Sequence, residues 1–537
     1  MSESDWWKRG VIYQIYPRSF ADSNGDGIGD LPGIIEKLDY LADLGVDAIW
    51  LSPIHPSPMA DFGYDVSDYR GIDPVFGTLA DFDRLVGEAR RRGIRVVMDL
   101  VLNHTSDRHR WFLESRSSRD NPRRNWYIWR DGRGGGPPNN WMASFGGGAW
   151  EWDAPTGQYY LHSFMREQPD VNWRNAELKE AMFAAVRFWL DRGVAGFRLD
   201  VINWLIKDEM LRSNPFGFGP TPRPYDLQKH LFDRNRPETH PIIRELRALV
   251  DSAGERMLVG EVYSEPPGDP ALSASYLGQG DELHLAFDFS LLFSKWSAAR
   301  FFRSVDRWAQ ALPPGGWPCH VLSNHDQRRS AGRLARGSRS EADARARVAA
   351  VLLLTLRGTP FLYYGEELGM RDGRIRRSEI VDPIGKRYWP LNRGRDAERT
   401  PMPWTDAENA GFTSGRPWLP VDPEHRKSNV ELQARDPASL LNFYKRLIAL
   451  RRERRALTAG EWIPAATGKR GVIAYYRVAG DERLFVALNF VRSPRKVALE
   501  APGDWRVLCS SRRAAGETQS GLALSLGPYE ATIWEGR

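Results

Sequence analysis

The feature that most constrains this chain is a repeat. Eight short runs of β-branched or apolar residues alternate with longer amphipathic stretches. The runs begin near Val11 (VIYQIYP), Ala48 (AIWLSPI), Arg95 (RVVMDLVLN), Gly196 (GFRLDV), Met257 (MLVGEV), Glu282 (ELHLAFDF), Cys319 (CHVLSNHD) and Thr359 (TPFLYYGEE). Between them lie segments such as LADFDRLVGEARRRG and NAELKEAMFAAVRFWLDRG, the second with apolar residues at Leu178, Met182, Ala185 and Phe188 in helical spacing. Strand and helix patterns that alternate in this way are the mark of βαβ units around a parallel sheet. Eight such units predict an α/β fold closed into a (β/α)8 barrel, the TIM-barrel architecture.

Two departures from the repeat predict further domains, as a chain of 537 residues requires, being too long for one core. Residues 104–170, which include GRGGGPPNNWMASFGGGAWEW, are too many for a loop and predict an irregular subdomain inserted after the third strand. The barrel then comprises residues 1–103 and 171–455, with a long Arg-rich excursion at about 371–435 after the eighth run. Beyond the stretch LLNFYKRLIALRRERRAL the pattern turns to short alternating strands (GVIAYYRV, RLFVALNF, ATIWEG). These predict a C-terminal antiparallel β-sandwich over 456–537,.

Composition excludes several classes. The net charge of +6 arises from 75 basic and 69 acidic residues dispersed along the chain, so no nucleic-acid partner is expected. Cys319 and Cys509 are far apart and lack metal-ligand spacing, so neither a disulfide framework nor a zinc site follows. The N-terminal stretch MSESDWWKRGVIY has no apolar core, and no run of 18 apolar residues occurs. Neither a signal peptide nor a membrane span is expected, and cytoplasmic residence is the default. Oligomeric state is left open.

Asp99, Asp200, Glu261 and Asp326 stand at the C-terminal ends of the third, fourth, fifth and seventh runs, where a barrel of this kind builds its active site. Hydrolysis of a glycoside needs two carboxyl groups, one ionised and one protonated. Arg198 precedes Asp200 by two residues, on the same strand face, and favours the charged form of Asp200. Glu261 follows Gly260 at the end of an apolar run with no basic neighbour in sequence, so burial is expected to raise its pKa and keep it protonated.

The segments DLVLNH (Asp99 to His104), GFRLD (Gly196 to Asp200), GEVY (Gly260 to Tyr263) and NHD (Asn324 to Asp326) resemble the four conserved regions of glycoside hydrolase family 13, the α-amylase family. QPDVNW at Gln168 resembles a fifth region, typical of its oligo-1,6-glucosidase and α-glucosidase branch, and GYDVSDY, GTPFLYYGEE and RTPMPW extend the likeness over nearly the whole chain. The resemblance implies a retaining, exo-acting α-glucosidase that takes short oligosaccharides. Asp200 would be the nucleophile, Glu261 the general acid/base and Asp326 the stabiliser of the distorted sugar. It further implies that Arg198, His104 and His325 bind the sugar or the nucleophile, and that Asp61, Tyr64 and Arg395 close a glucose pocket. Val201, next after the nucleophile, would govern linkage, since Val in this branch accompanies α-1,6 action and Thr or Ala accompanies α-1,4 action.

The stretch DSNGDGIGD sets Asp22, Asn24, Asp26 and Asp30 at alternating offsets around Gly27. Oxygen ligands on a turning loop suit Ca²⁺, and an Asp/Gly-rich turn with side-chain caps accounts for the same spacing. The position that would need the bidentate Glu of an EF-hand is Gly33, so it is not an EF-hand. The resemblance implies a structural calcium ion here, with the Ile28 carbonyl as a further ligand.

Two other readings use the same residues. A glucosyltransferase, sucrose isomerase or trehalose synthase would share the triad and intercept the same intermediate; the Arg-rich stretch QRRSAGRLARGSRS after the seventh run does not match the aromatic clamp often found in the isomerases. A non-catalytic sugar-binding relative would lack part of the triad, which this chain retains.

Overall fold

The computed structural model describes residues 5–264, 268–334, 338–467 and 470–536. The barrel opens with β1 (Ile12–Ile15), β2 (Ala48–Leu51) and β3 (Arg95–Val101). Three short strands of the insert follow, β4 (Trp129–Arg130), β5 (Trp150–Asp153) and β6 (Gln158–Leu161). The barrel resumes with β7 (Gly196–Asp200), β8 (Met257–Gly260), β9 (Leu285–Ala286), β10 (Cys319–Val321) and β11 (Thr359–Tyr363). All eight predicted strands are therefore present, in one parallel sheet of order β10-β11-β1-β2-β3-β7-β8-β9. The two edge strands meet through a parallel bridge between Asp288 and His320, with Asp288 N–H donating to the Cys319 carbonyl at 3.0 Å, so the sheet closes.

Strand residues alternate between two cores, as the two-residue period of a strand requires. Ile12, Ala48, Trp50, Val97, Val259 and Phe361 fill the barrel interior, while their neighbours Tyr13, Ile49, Val96, Met98, Leu258 and Leu362 pack outwards in the large cluster shared with the helices. Gly196 is required where β7 crosses β8: a Cβ there would lie 2.3 Å from the Met257 carbonyl oxygen. The covering helices start at the caps their sequences offer. Thr78 and Asp81 form a reciprocal capping box on the helix Leu79–Arg91, and Asn175 caps Ala176–Asp191, each satisfying amides that a first helical turn leaves free.

The insert carries the sheet β4-β6-β5 and a helix, Arg110–Ser117. Its entry and exit are stitched together by antiparallel bridges His104 to Asp170 and Tyr127 to Val171, which anchor it above β3. The C-terminal strands β12 (Glu461–Pro464), β13 (Val472–Ala479), β14 (Glu482–Asn489), β15 (Arg495–Ser510), β16 (Thr518–Leu526) and β17 (Ala531–Gly536) form one antiparallel sheet, β12-β13-β14-β17-β15-β16. The expected sandwich is thus a single sheet folded over itself. Tyr476 of β13 and Trp505 of β15 lie 6.4 Å apart by ring centroid although two strands separate theirs in the sheet; flat neighbours at about 4.8 Å spacing could not meet this way. One face packs on the barrel helices through Tyr475, Val486 and Ile533, and the other encloses Phe485, Trp505 and Trp534. Among the described residues no helix is long and apolar enough to cross a membrane.

Candidate active site

The parallel register sets the reacting groups side by side. On β3 and β7, Asp99 opposes Arg198 and Val101 opposes Asp200; on β7 and β8, Leu199 opposes Gly260. Asp200 and Glu261, the residues that follow, therefore emerge together at the C-terminal end of the barrel. Ile202 N–H donates to the Glu261 carbonyl at 3.0 Å and ties the two strand ends. They open into a cavity of about 1670 Å³ that is also lined by Asp61, Tyr64, His104, Val201, Asp326 and Arg395.

Arg198, buried at 1% exposure, is the hub beneath this cavity. Its Nη1 donates to both oxygens of Asp99 at 2.9 and 3.1 Å and to Asp200 Oδ1 at 2.9 Å, and its Nη2 donates to Glu261 Oε2. Glu261 thus has a basic partner, contrary to the expectation from its sequence neighbours: the guanidinium reaches it across the barrel. Burial nonetheless dominates, and with Asp200, Asp326 and Asp99 close by it outweighs Arg198 and holds the Glu261 carboxyl well above its ordinary range. Its Oε1 is buried without a partner among the described residues, which leaves that atom to carry the proton. Asp200 is pushed up to about 6, by burial first and by Asp99 and Asp326, against the opposing pull of Arg198 and His104. Arg198 acts on Asp200 in the expected direction, but burial is the larger effect. The two carboxyls still split in the sense that acid/base chemistry needs, with Glu261 the more reluctant to ionise.

Asp326 behaves differently. Burial opposes its charge, but His325 once protonated in acid, together with Arg395 and Arg399, overcomes that cost and holds it below the usual carboxylate range. Its Oδ1 accepts from Arg395 Nη1 at 3.2 Å and from Arg399 Nη2 at 2.7 Å. Arg395 also donates to Asp61 Oδ1 and to Asp382 Oδ2, each at 2.6 Å, so one guanidinium links the excursion after β2 to the one after β11 at the cavity wall. Gln168, in the fifth motif, bonds Asp61 at 3.4 Å and His104 Nε2 at 3.1 Å. Tyr64 stacks on His325 with ring centroids 5.5 Å apart, and its hydroxyl bonds His325 Nε2 at 2.5 Å.

The candidate residues divide into two layers. Asp61, Tyr64, His104, Asp200, Val201, Glu261, Asp326 and Arg395 line the cavity. Arg198, His325 and Asp99 do not; they form the floor behind it. His325, unexposed and pushed down to about 3 by burial and by Arg399, Arg198 and Arg395 against the pull of Asp326, is a neutral imidazole held between Gln14 and Tyr64. Asp99 accepts from Arg198, Trp50 and Tyr64, so it is a positioning group rather than a fourth acid of the mouth. Several contributors escaped sequence reasoning. Arg399 and Asp382 fix Asp326 and Arg395, and Phe164, Trp204 and Tyr225 form a stacked aromatic wall, with centroids 4.8 and 6.4 Å apart. The wall is assembled from irregular segments with no periodicity to reveal it. Arg399 lies within the quoted RTPMPW motif, so its position was a usable signal. In the Arg-rich stretch after the seventh run, residues 335–337 lie outside the described residues.

The DSNGDGIGD loop is a succession of side-chain caps. Asp22 accepts from the amides of Asn24, Gly25 and Gly27 and from Thr413 Oγ1; Asn24 and Asp26 each accept the amide two residues on. Asp30 caps the helix Leu31–Glu36 through Gly33 N–H at 2.6 Å and also accepts from Ser23. Among the described residues no cluster of three or more His, Cys, Asp or Glu side chains converges as a metal cage; any ion at this loop would need its Asn and backbone oxygens as well.

Residues 14–460 match the family described as α-amylase, catalytic domain, and residues 465–533 match the maltogenic amylase C-terminal domain. The chain belongs to the α-amylase family. It is 45% identical to a probable α-glucosidase of Rhizobium meliloti (strain 1021), over 91% of this chain and 90% of that one. It is 39% identical to an oligo-1,6-glucosidase of Parageobacillus thermoglucosidasius, over 99% of each. Among solved structures, an α-glucosyl transfer enzyme superimposes with a TM-score of 0.92 at 45% identity, covering 99% of both chains. The family and these full-length likenesses make this chain a glycoside hydrolase of the α-amylase family.

Proposed function

We propose that this α-amylase family member is a retaining, exo-acting α-glucosidase that removes terminal non-reducing glucose from short oligosaccharides. The observation that carries this reading is the single guanidinium of Arg198 in contact with both Asp200 and Glu261. One fork reaching both carboxyls supports the short separation, about 5 Å, that double displacement uses, rather than the wider gap that admits a water in inverting enzymes. Asp200 attacks the anomeric carbon while Glu261 Oε1–H protonates the departing oxygen. The glucosyl ester that results is hydrolysed when Glu261, now ionised, takes a proton from water. Asp326, kept anionic by Arg395 and Arg399, offsets the positive charge that develops on the sugar ring. The Asp61–Arg395 ion pair supports exo action, because a buried pair across the cavity wall would stop a longer chain from passing beyond the terminal sugar,.

The deciding experiment is proton NMR of the first product. Retention releases α-glucose before mutarotation; β-glucose as the initial product would reject the mechanism. The likeness to a glucosyl transfer enzyme favours a second outcome, interception of the glucosyl ester by a sugar. Transfer products from concentrated maltose or sucrose would reveal it.

Linkage is assigned to Val201. It lines the cavity directly after Asp200, in a left-handed conformation (φ 35°, ψ 49°), and packs with Trp204 and Tyr225. A β-branched side chain at such an angle is strained and stiff, so it narrows one side of the leaving-group path. We propose α-1,6 action on isomaltose and short isomaltooligosaccharides, with α-1,4 action alongside, because one such contact is worth about 1–3 kcal/mol of discrimination. Val201→Thr is expected to shift the rate ratio towards maltose; strong maltose hydrolysis with none of isomaltose in the native enzyme would overturn the assignment.

We also propose a structural Ca²⁺ at Asp22, Asn24, Asp26, the Ile28 carbonyl and Asp30. The loop supplies only hard oxygen donors, and its amide-accepting side chains curl it into a compact surface turn. Asp30 is also a helix cap, so an ion would tie the loop to the helix start.

A further inference from the structure

Six of the cavity-wall cations divide by whether a carboxylate stands beside them. Arg395 is paired with Asp61 and Asp326, Arg328 with Asp372 at 2.8 Å, and Arg223 faces Asp226 at 3.8 Å. Lys229, Arg374 and Arg393 also line the cavity and are exposed; among the described residues none of them has a carboxylate within salt-bridge distance. Lys229 comes from the excursion that follows β7, and the two arginines from the one that follows β11. Glu398, a further acid of the wall, supplies no counter-charge, because burial and Asp372 push its carboxyl up to about 8 and it is neutral at neutral pH.

The same wall exposes apolar surface. Phe218 is fully exposed and Leu391 is 92% exposed. The Arg393 guanidinium lies 5.3 Å from the centroid of Trp389, itself a wall residue. Unpaired positive charge at a concave, partly apolar rim concentrates its potential in the cleft and draws anions in. Exposed aromatic and aliphatic side chains beside it supply an area that a flat apolar body can cover.

We propose that the leaving-group end of this cavity accepts an aglycone in which an anionic oxygen group is carried on an aromatic or apolar body, and that Lys229, Arg374 and Arg393 set that preference. The inference rests on the exo-α-glucosidase reading, in which the glucose end is closed by Asp61 and Arg395 and the aglycone faces the open rim. Three exposed charge contacts, each modest alone, together give roughly a tenfold effect on kcat/KM.

The test compares 4-carboxyphenyl α-D-glucoside with its neutral partner 4-carbamoylphenyl α-D-glucoside, in the native enzyme and in the triple variant Lys229→Gln, Arg374→Gln, Arg393→Gln. Comparing the two enzymes cancels the intrinsic difference between the leaving groups. The ratio of kcat/KM, anionic over neutral, is expected to be about tenfold higher in the native enzyme, to reside in KM, and to collapse at about 0.5 M salt, where screening shortens to a few ångströms. The variant is expected to keep native kcat on the neutral glucoside. A ratio that is equal in the two enzymes, or insensitive to salt, overturns the proposal. A third probe, maltose phosphorylated at the reducing-end 6-position against plain maltose, distinguishes the source of the anion: preference for the phosphate without preference between the aryl pair overturns the apolar body. Failure of the native enzyme to cleave either aryl glucoside or maltose would instead remove the glucosidase reading beneath it.

Discussion

Replacing Asp99 by Asn probes the electrostatics of the site through a residue that does not line the cavity. Asp99 accepts two hydrogen bonds from Arg198 and one each from Trp50 and Tyr64; burial raises its pKa, and Arg198 with these donated bonds opposes that rise and favours the carboxylate,. Its charge pushes up the pKa of both Asp200 and Glu261. Asp99 and Asp200 each meet the same Arg198 Nη1 at 2.9 Å. Their oxygens then stand about 5 Å apart, and two unit charges at that distance repel by about 3 kcal/mol at an effective dielectric of about 20, or about 2 pH units. Relaxation of the site makes about 1 unit the realistic lower end. In the proposed double displacement, activity requires Asp200 ionised and Glu261 protonated. The acid limb of kcat/KM therefore follows Asp200, near pH 6 in the native enzyme, and the alkaline limb follows Glu261. Removing a neighbouring negative charge makes both groups easier to ionise, so both limbs move to lower pH by about 1–2 units and the whole bell translates. The assay is kcat/KM on an aryl α-glucoside across pH, with a melting curve at each pH, since a buried ion pair that loses one partner costs about 3–5 kcal/mol. A merely structural role would lower the bell without moving it. A bell that keeps its position, or moves to higher pH, refutes the reasoning.

Three further outcomes are expected. Glu261→Gln should lower kcat on maltose or isomaltose by about 10²–10⁴ and abolish the alkaline limb, while substrates with acidic phenol leaving groups lose much less, because they need no protonation; equal losses on all substrates would contradict the acid role. Arg395→Gln should raise KM for terminal glucosides and lift the pKa of Asp326, which loses one of its two arginine partners, so that activity below pH 5 falls more steeply than in the native enzyme; an unchanged KM and acid limb would remove Arg395 from the pocket. Chelation should lower the Tm without lowering kcat below the melt, by up to about 2.7 kcal/mol of stability at a hundredfold excess of ion over Kd, and Asp22→Ala or Asp26→Ala should abolish that effect; a native melt indifferent to both Ca²⁺ and chelator would leave the loop a simple turn.

What the sequence determined by itself was everything encoded within a strand, a turn or a motif. The eight barrel runs were legible because strand and helix carry different periods, and β1 (Ile12–Ile15) begins one residue after the expected start near Val11. Asp200, Glu261 and Asp326 were legible because strand ends of a closed parallel barrel share one mouth. The nature of the C-terminal domain was only half legible: alternation announced antiparallel strands, but whether two sheets face each other or one folds over depends on the long, bulged β15, and no local signal specifies that.

The tertiary structure alone decided which charges meet. Glu261 lacks a basic neighbour in sequence yet touches Arg198, 63 positions away, because the barrel sets β7 beside β8. Asp99 shares the barrel-interior face with Asp200 but pairs with Arg198, two residues before Asp200 on β7, so it lies one pleat deeper, in the floor; like Asp99, His325 does not line the cavity. The rise of the Asp200 pKa came from burial rather than from its sequence partner, and burial is a property of the assembled barrel. So too are the cations Lys229, Arg374 and Arg393: a sequence shows that they are basic, and only the closed fold, by bringing two distant excursions to one cavity, sets them there with no carboxylate within salt-bridge distance among the described residues.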